Sequence, residues 1–241
     1  MVRFFVASAD LEGEEVFLSG ENAQHAKVLR LKQGESVLLC DGDGHEGICQ
    51  VESTDGWRLR MLQRRDSRSE AAVKVSVYMA LPKADKLEHV IQKATELGAY
   101  EIVTFPSARC VSRPDEKSLK KKLERWQKIA SSAAEQSGRG RIPKVIVLNS
   151  FPEALARAAQ ADKALMFYEH EEALTLKMAL SSENYNTVSL LTGPEGGLEE
   201  SEVAQAREAG MQVCTLGKRI LRCETAPLCA LSAVMFDAGE F

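Results

Sequence analysis

Leu190-Leu191-Thr192-Gly193-Pro194-Glu195-Gly196-Gly197-Leu198 is the stretch on which the fold turns. It leaves an apolar strand at 188–191, passes three glycines and a proline, and enters a helix expected from Glu199. A strand without polar and apolar alternation is buried on both faces, as in a parallel sheet covered by helices. Loops beyond the carboxyl ends of such strands are where open α/β sheets bind ligands. Glycines there remove the Cβ atoms that would hold a flat ligand off the backbone, and Pro194 fixes one φ. The same residues suit an ordinary strand-to-helix turn, so the loop gains meaning from its surroundings. Its spacing matches neither GxGxxG with a downstream acid nor GxxxxGK[ST], which argues against NAD and ATP.

Working outward, the same grammar fills the chain from residue 73 onward. Apolar strands are expected at 73–80, 102–105, 145–148, 164–168 and 213–216, separated by helices. One helix carries Leu87, Val90, Ile91, Ala94 and Leu97 on a single stripe and stops at Gly98. A longer one aligns Leu119, Leu123, Trp126, Ala130 and Ala133. This alternation indicates a mostly parallel α/β sheet. Residues 1–64 instead give short strands at 4–6, 15–18, 35–40, 47–52 and 58–62, one helix at 22–31, and a turn at Asp41-Gly42-Asp43-Gly44. That is the pattern of a small β-barrel or sandwich. A polar linker is expected over 64–72.

A second loop stands out, Leu216-Gly217-Lys218-Arg219-Ile220-Leu221-Arg222-Cys223-Glu224-Thr225-Ala226-Pro227. Ile220 and Leu221 between cations suggest a binding wall with charges at its rim. Thr225 suits a helix cap and Pro227 the first turn of the last helix.

The chain has 241 residues, 44% hydrophobic and 27% charged, with a net charge of −4. No apolar run approaches the ~20 residues of a membrane span, and residues 1–15 lack a secretory core, so a soluble, cytoplasmic protein is expected. The six cysteines form no CxxC pair and the four histidines lie far apart, so no metal site is expected. Residues 109–144 hold eleven Lys/Arg against four Asp/Glu, an excess of +7 on an acidic protein. Such a zone suits RNA phosphates, although a run such as Lys120–Lys122 is also what a solvated helix face looks like.

The two loops carry a resemblance. TGPEGG followed by LGKRILRCETA resembles the paired C-terminal motifs of the bacterial 16S rRNA uridine-N3 methyltransferase family of the SPOUT superfamily. HAKVLRLKQGE, LLCDGDG, KLEHVIQKATELG, PSARCVSR and WQKIASSAAEQSGRGRIPKV are similar to its other segments, in the same order. The resemblance implies a PUA-like β-barrel over 1–70 and a SPOUT domain over 73–241, closed by a trefoil knot. It implies a homodimer, and the final helix, apolar nearly all round through Leu228, Ala230, Leu231, Ala233, Val234, Met235 and Phe236, fits a partner surface.

The cofactor it implies is S-adenosylmethionine, with 16S rRNA in the 30S subunit as substrate. Phe167, Leu191, Thr192, Gly193, Pro194, Glu195, Gly196, Gly197, Leu216, Gly217, Ile220 and Leu221 are then the expected cofactor contacts. Uracil N3 is a weak acid, so Arg219 and Arg222 are candidates for stabilising the developing anion, and Glu195 and Glu224 for accepting the proton. Helix-terminus charge is the competing role for Glu224, and phosphate binding for Arg222. Arg109, Arg113, Gln136, Arg139, Arg141 and Arg30 are the expected RNA contacts. Two other readings stay open: a SPOUT enzyme for another rRNA or tRNA position, and a non-catalytic ribosome-assembly protein.

Overall fold

The computed structural model describes residues 1–181 and 185–241. The chain separates into two compact units, Met1–Glu70 with Ala134–Ile142, and Ala71–Ala133 with Pro143–Phe241.

The first unit is a five-stranded sheet of β1 (Val2–Phe5), β2 (Glu15–Phe17), β3 (Ser36–Cys40), β4 (His45–Ser53) and β5 (Arg58–Asp66). The order is β1-β3-β4-β5-β2, with β1 parallel to β3 and the other pairs antiparallel. From Gly47 onward β4 buries alternate residues, Gly47, Cys49 and Val51, as a strand with one face on a core does. Phe4, Val16, Val37, Leu39 and Leu59 complete that core. At the Asp41–Gly44 turn, Gly42 and Gly44 adopt φ of 80° and 106°. The Asp41 carboxylate accepts the Asp43 and His45 backbone N–H groups at 2.7 and 3.0 Å.

Three expectations are corrected in this unit. The linker over 64–72 is partly strand, because β5 continues to Asp66. Its polar residues find partners, with Arg65 Nε 2.7 Å from Glu46 on β4 and Arg64 donating to the Glu12 and Gly13 carbonyls in the segment before β2. Hydrophobic periodicity does not register such a strand. Helix α1 (Gly20–Val28) begins and ends earlier than 22–31, since Arg30 turns into the left-handed region at φ 55°. Residues 134–142, expected with the second domain, group with the first unit. There the Glu70 carboxylate accepts the Gly140 and Arg141 N–H groups, both at 3.0 Å, and pairs with Arg139 at 2.6 Å.

The second unit is a six-stranded parallel sheet in the order β11-β9-β10-β6-β7-β8. In chain order its elements are β6 (Lys74–Ala80), α2 (Lys86–Glu96), β7 (Glu101–Phe105), α3 (Glu116–Ser137), β8 (Lys144–Val147), α4 (Phe151–Ala158), β9 (Lys163–Phe167), α5 (Leu176–Leu180), β10 (Thr187–Thr192), α6 (Glu200–Glu208), β11 (Gln212–Cys214) and α7 (Thr225–Asp237). The last turn of α3 belongs to the first unit. Every residue of β7 and β9 is buried, which is why their sequences do not alternate. Helix α2 buries Leu87, Val90, Ile91 and Ala94, each side chain contributing about 1.5–3 kcal/mol for the larger three. It stops at Gly98, whose φ of 93° suits glycine, and a Cβ there would come within 3.3 Å of Met235 on α7.

Register places the site. β10 lies between β9 and β6, with Leu191 opposite both Met166 and Tyr78, and Phe167 ends β9 opposite Cys214, the end of β11. Three strands therefore finish together, and the loops that follow them emerge at one edge of the sheet. No described helix is long and apolar enough to cross a membrane.

Candidate active site

The loops after β9, β10 and β11 line one cleft of about 560 Å³. That volume lies in the range of small-molecule sites. Phe167 to His170 form one wall, Thr192 to Glu195 with Gly197 a second, and Thr215 to Cys223 with Ala226 a third. The walls are built by local chemistry. Gly197 N–H donates to the Pro194 carbonyl at 3.0 Å, closing a tight turn with Gly197 at φ 71°. The buried Thr192 hydroxyl donates to the Tyr78 carbonyl at 3.3 Å and anchors the start of that loop. In the third wall Thr215 Oγ1 accepts the Gly217 N–H at 3.2 Å, and Arg222 C=O accepts from Thr225 and Ala226 at 2.8 and 3.0 Å. The N-cap of α7 is thus Glu224, and Thr225 is already inside the helix, not its cap as expected.

The glycines divide into two groups. A Cβ on Gly193 would lie 2.9 Å from the Gly197 carbonyl carbon, and one on Gly197 would fall on the Glu169 carboxylate. Gly217, at φ 105°, has open space on that side. These three allow the loops to approach one another and a ligand closely. Gly196 belongs elsewhere. It is outside the cleft lining, its added Cβ would meet Arg109 Cβ at 3.2 Å, and its carbonyl accepts from Arg109 Nη1 at 2.9 Å. Leu191 is likewise absent from the lining, fully buried within β10. Of the twelve expected cofactor contacts the cleft brings together the other ten: Phe167, Thr192, Gly193, Pro194, Glu195, Gly197, Leu216, Gly217, Ile220 and Leu221.

The charges follow a pattern that the sequence did not reveal. Lys86, at the start of α2, enters the cleft with Nζ 3.1 Å from Glu195 Oε1 and 3.3 Å from Glu224 Oε2. Glu195 Oε1 also accepts the Lys83 N–H at 3.0 Å. Burial would raise both carboxyls, but backbone hydrogen bonds and Lys86 outweigh it and hold both below the ordinary glutamate value. The Cys223 thiol, hydrogen-bonded to Glu224 at 3.2 Å, is pushed up to about 11, chiefly by burial. A carboxylate held ionised beside an ammonium is a weaker proton acceptor than a free one. Nothing in sequence spacing links residue 86 to either loop.

Arg219 and Arg222 line the cleft, are exposed, and among the described residues neither has a carboxylate partner. Glu169, His170, Lys218 and Thr215 join the lining without having been assigned as cofactor contacts. No described cluster of His, Cys, Asp or Glu would hold a metal ion. Five cysteines are buried free thiols and Cys229 is exposed.

The expected RNA contacts fare unevenly. In the second unit Arg113 is exposed, and Arg109 is exposed but braces the Gly196 carbonyl. In the first unit Arg30 and Gln136 are exposed. Arg139 is 4% exposed and paired with Glu70, so it offers no face to a phosphate. Arg141 donates to the Asp43 carbonyl and is half-buried against the 41–44 turn. Both arginines serve the fold of their unit.

The chain matches the sequence model described as RNA methyltransferase domain over residues 69–235, and that of the RNA methyltransferase PUA domain over 18–56. It is 39% identical to the ribosomal RNA small subunit methyltransferase E of Bacillus subtilis, over 98% of this chain and 97% of that one. The structure of a ribosomal RNA small subunit methyltransferase E from Neisseria gonorrhoeae, bound to S-adenosylmethionine, superposes with TM-score 0.83 at 32% identity, covering 98% and 97% of the two chains. A methyltransferase of Legionella pneumophila in complex with the same cofactor gives TM-score 0.80 at 28% identity, again over 98% and 97%. With a domain match spanning most of its length and a relative this similar from end to end, the chain belongs to the RNA methyltransferase family whose members join a PUA domain to a methyltransferase domain.

Proposed function

We propose that this protein methylates N3 of a uridine in the 16S rRNA of the 30S subunit, with S-adenosylmethionine as donor, as a homodimer. One observation carries the reading: the glycine loop at 192–197 and the apolar-cationic loop at 215–223 converge on one cleft at the ends of β9, β10 and β11. The residues fit the cofactor. Gly193, Gly197 and Gly217 leave room that side chains would fill, while Phe167, Leu216, Ile220 and Leu221 offer apolar walls. Relatives with 32% and 28% identity hold S-adenosylmethionine. A knotted crossing of the last strands, bringing both loops to the cleft, is part of this reading.

When bound, the cofactor supplies an electrophilic methyl group and needs no metal to activate it. The chain's residues do the rest. The three walls orient the donor and exclude water from it. Arg219 and Arg222, without carboxylate partners among the described residues, are positioned to stabilise negative charge on the uracil as its N3 proton leaves to solvent. Arg113 in the second unit, and Arg30 and Gln136 in the first, are the surfaces we assign to RNA. Exposed Phe236, on the outer face of α7, is assigned to the subunit contact, since monomers rarely leave such helices uncovered.

The deciding experiment incubates 30S subunits from a strain lacking the enzyme with labelled S-adenosylmethionine and analyses the nucleosides. Label in 3-methyluridine is expected. Label in another nucleoside, or only in tRNA, would overturn the specificity. Arg222→Ala should lower the single-turnover rate on the order of a hundredfold even at saturating RNA, because mass action cannot replace a transition-state interaction. Full recovery at saturating RNA would reassign Arg222 to phosphate binding.

A further inference from the structure

Lys86 is the one cleft-lining residue contributed by α2, and it joins elements far apart in sequence. Its Nζ is shared between Glu195, in the loop after β10, and Glu224, at the N-cap position of α7, and lies 3.6 Å from Cys223 Sγ. Glu195 is held a second time by the Lys83 N–H, so the segment leading into α2 and the first residue of the helix grip this carboxylate through backbone and side chain. All three side chains are one-fifth to one-third exposed. An isolated pair at that exposure would contribute little. Here one ammonium stands between two carboxylates, and its loss would leave two like charges facing each other with no shared counterion.

We propose that Lys86 is a positioning residue that ties the glycine loop to the start of α7 and thereby sets the width of the cofactor cleft. The inference rests on the cofactor reading above. Glu195 belongs to the second wall, and Glu224 directly follows the third. A cation between them holds the two walls at one separation before the ligand arrives. Losing it drives the walls apart through Glu195 and Glu224, and the donor is then bound more loosely. Binding to a preorganised cleft avoids an ordering cost that binding to an open one must meet.

The sign of the effect distinguishes this role from general stabilisation. Removing Lys86 should weaken the cofactor complex, and then removing one of the carboxylates should restore part of the loss, because the repulsion disappears. Two independently destabilising substitutions would instead add.

The test is titration calorimetry of S-adenosylhomocysteine with purified protein, alongside melting temperatures without ligand. Lys86→Met should bind about tenfold more weakly than wild type, a coupling within the usual span for networked residues. Lys86→Arg should stay within about threefold, since a cation remains in place. Lys86→Met/Glu195→Gln should bind more tightly than Lys86→Met alone. Equal affinity in Lys86→Met and wild type would overturn the proposal, as would a double variant weaker than the single. Should Lys86→Met fail to fold, Lys86→Gln is judged by the same criteria. Absence of binding by wild type would overturn the cofactor reading itself, and the role of Lys86 with it.

Discussion

The two neighbouring loop glycines Gly193 and Gly196 make opposite demands. A Cβ on Gly193 would press on the backbone of Gly197 and on Leu198 at 3.0 Å, neither of which is the free end of a flexible chain. The turn must open, and the cleft with it. Gly193→Ala should therefore weaken S-adenosylhomocysteine binding by about tenfold or more, roughly 1.4 kcal/mol. On Gly196 the added carbon meets the Arg109 side chain, outside the cleft. Gly196→Ala should leave affinity within about twofold. Calorimetry on both variants checks the pair, and a tenfold loss in Gly196→Ala would place the ligand on the wrong side of the loop. Sequence reading treats the three glycines alike, because which side of a turn faces a ligand is set by neighbours distant in the chain.

At the scale of elements, the segment after α3 shows how a charge-rich sequence misleads. Gly138-Arg139-Gly140-Arg141 has the composition of a phosphate-binding loop. Folded, it closes around the Glu70 carboxylate, which takes up two backbone N–H groups and the Arg139 guanidinium. Breaking a buried pair leaves the remaining charge without its partner. Arg139→Ala should destabilise the protein by about 3 kcal/mol, read from urea midpoints. It should leave the salt dependence of RNA binding unchanged. Arg113→Ala, by contrast, should reduce the log–log salt slope by roughly one unit at unchanged stability. A reduced slope in Arg139→Ala would return that residue to the RNA surface. Helix α7 carries its own test. Phe236→Glu should convert a dimer to a monomer in light scattering at micromolar concentration, and a wild-type monomer would refute the assignment.

At the scale of the whole molecule, acid should be the weak side. The carboxyls of Asp41, Asp115, Asp162, Glu171, Glu195 and Glu224 all lie below their ordinary values, 3.8 for Asp and 4.5 for Glu. For Asp162 the cause is the backbone N–H groups of Asn186 and Thr187 together with the Thr187 hydroxyl, and for Glu171 mainly the Ala173 N–H and Arg207. A depressed folded-state value contributes stability that is complete above the unfolded value and lost as pH falls through the folded one. Urea midpoints should therefore hold down to about pH 5 and fall steeply below pH 4. His45, raised by its hydrogen bond to Asp41, works the other way: its contribution is complete below pH 6.5 and fades as pH rises past its folded value. His45→Ala should remove that small alkaline slope. A midpoint independent of pH between 3 and 5 would contradict the acid prediction.

What the sequence determined by itself is the part governed by near neighbours and by period. Unalternating strands at 73–80, 102–105, 164–168 and 188–191 specify a sheet buried on both faces, and the 3.6-residue stripe on Leu87, Val90, Ile91 and Ala94 specifies the helix that covers it. The two loop motifs point to the cleft because their glycines and apolar residues act where they stand. Tertiary structure decided which charges meet. Lys86 reaches Glu195 and Glu224, Glu70 captures Arg139, and β5 continues to Asp66 on cross-strand partners. Ion pairs and hydrogen bonds of this kind depend on three-dimensional proximity, which strand order and register create and which no local spacing encodes. Whether a cation faces solvent, a carboxylate or a ligand is therefore settled only when the chain has folded.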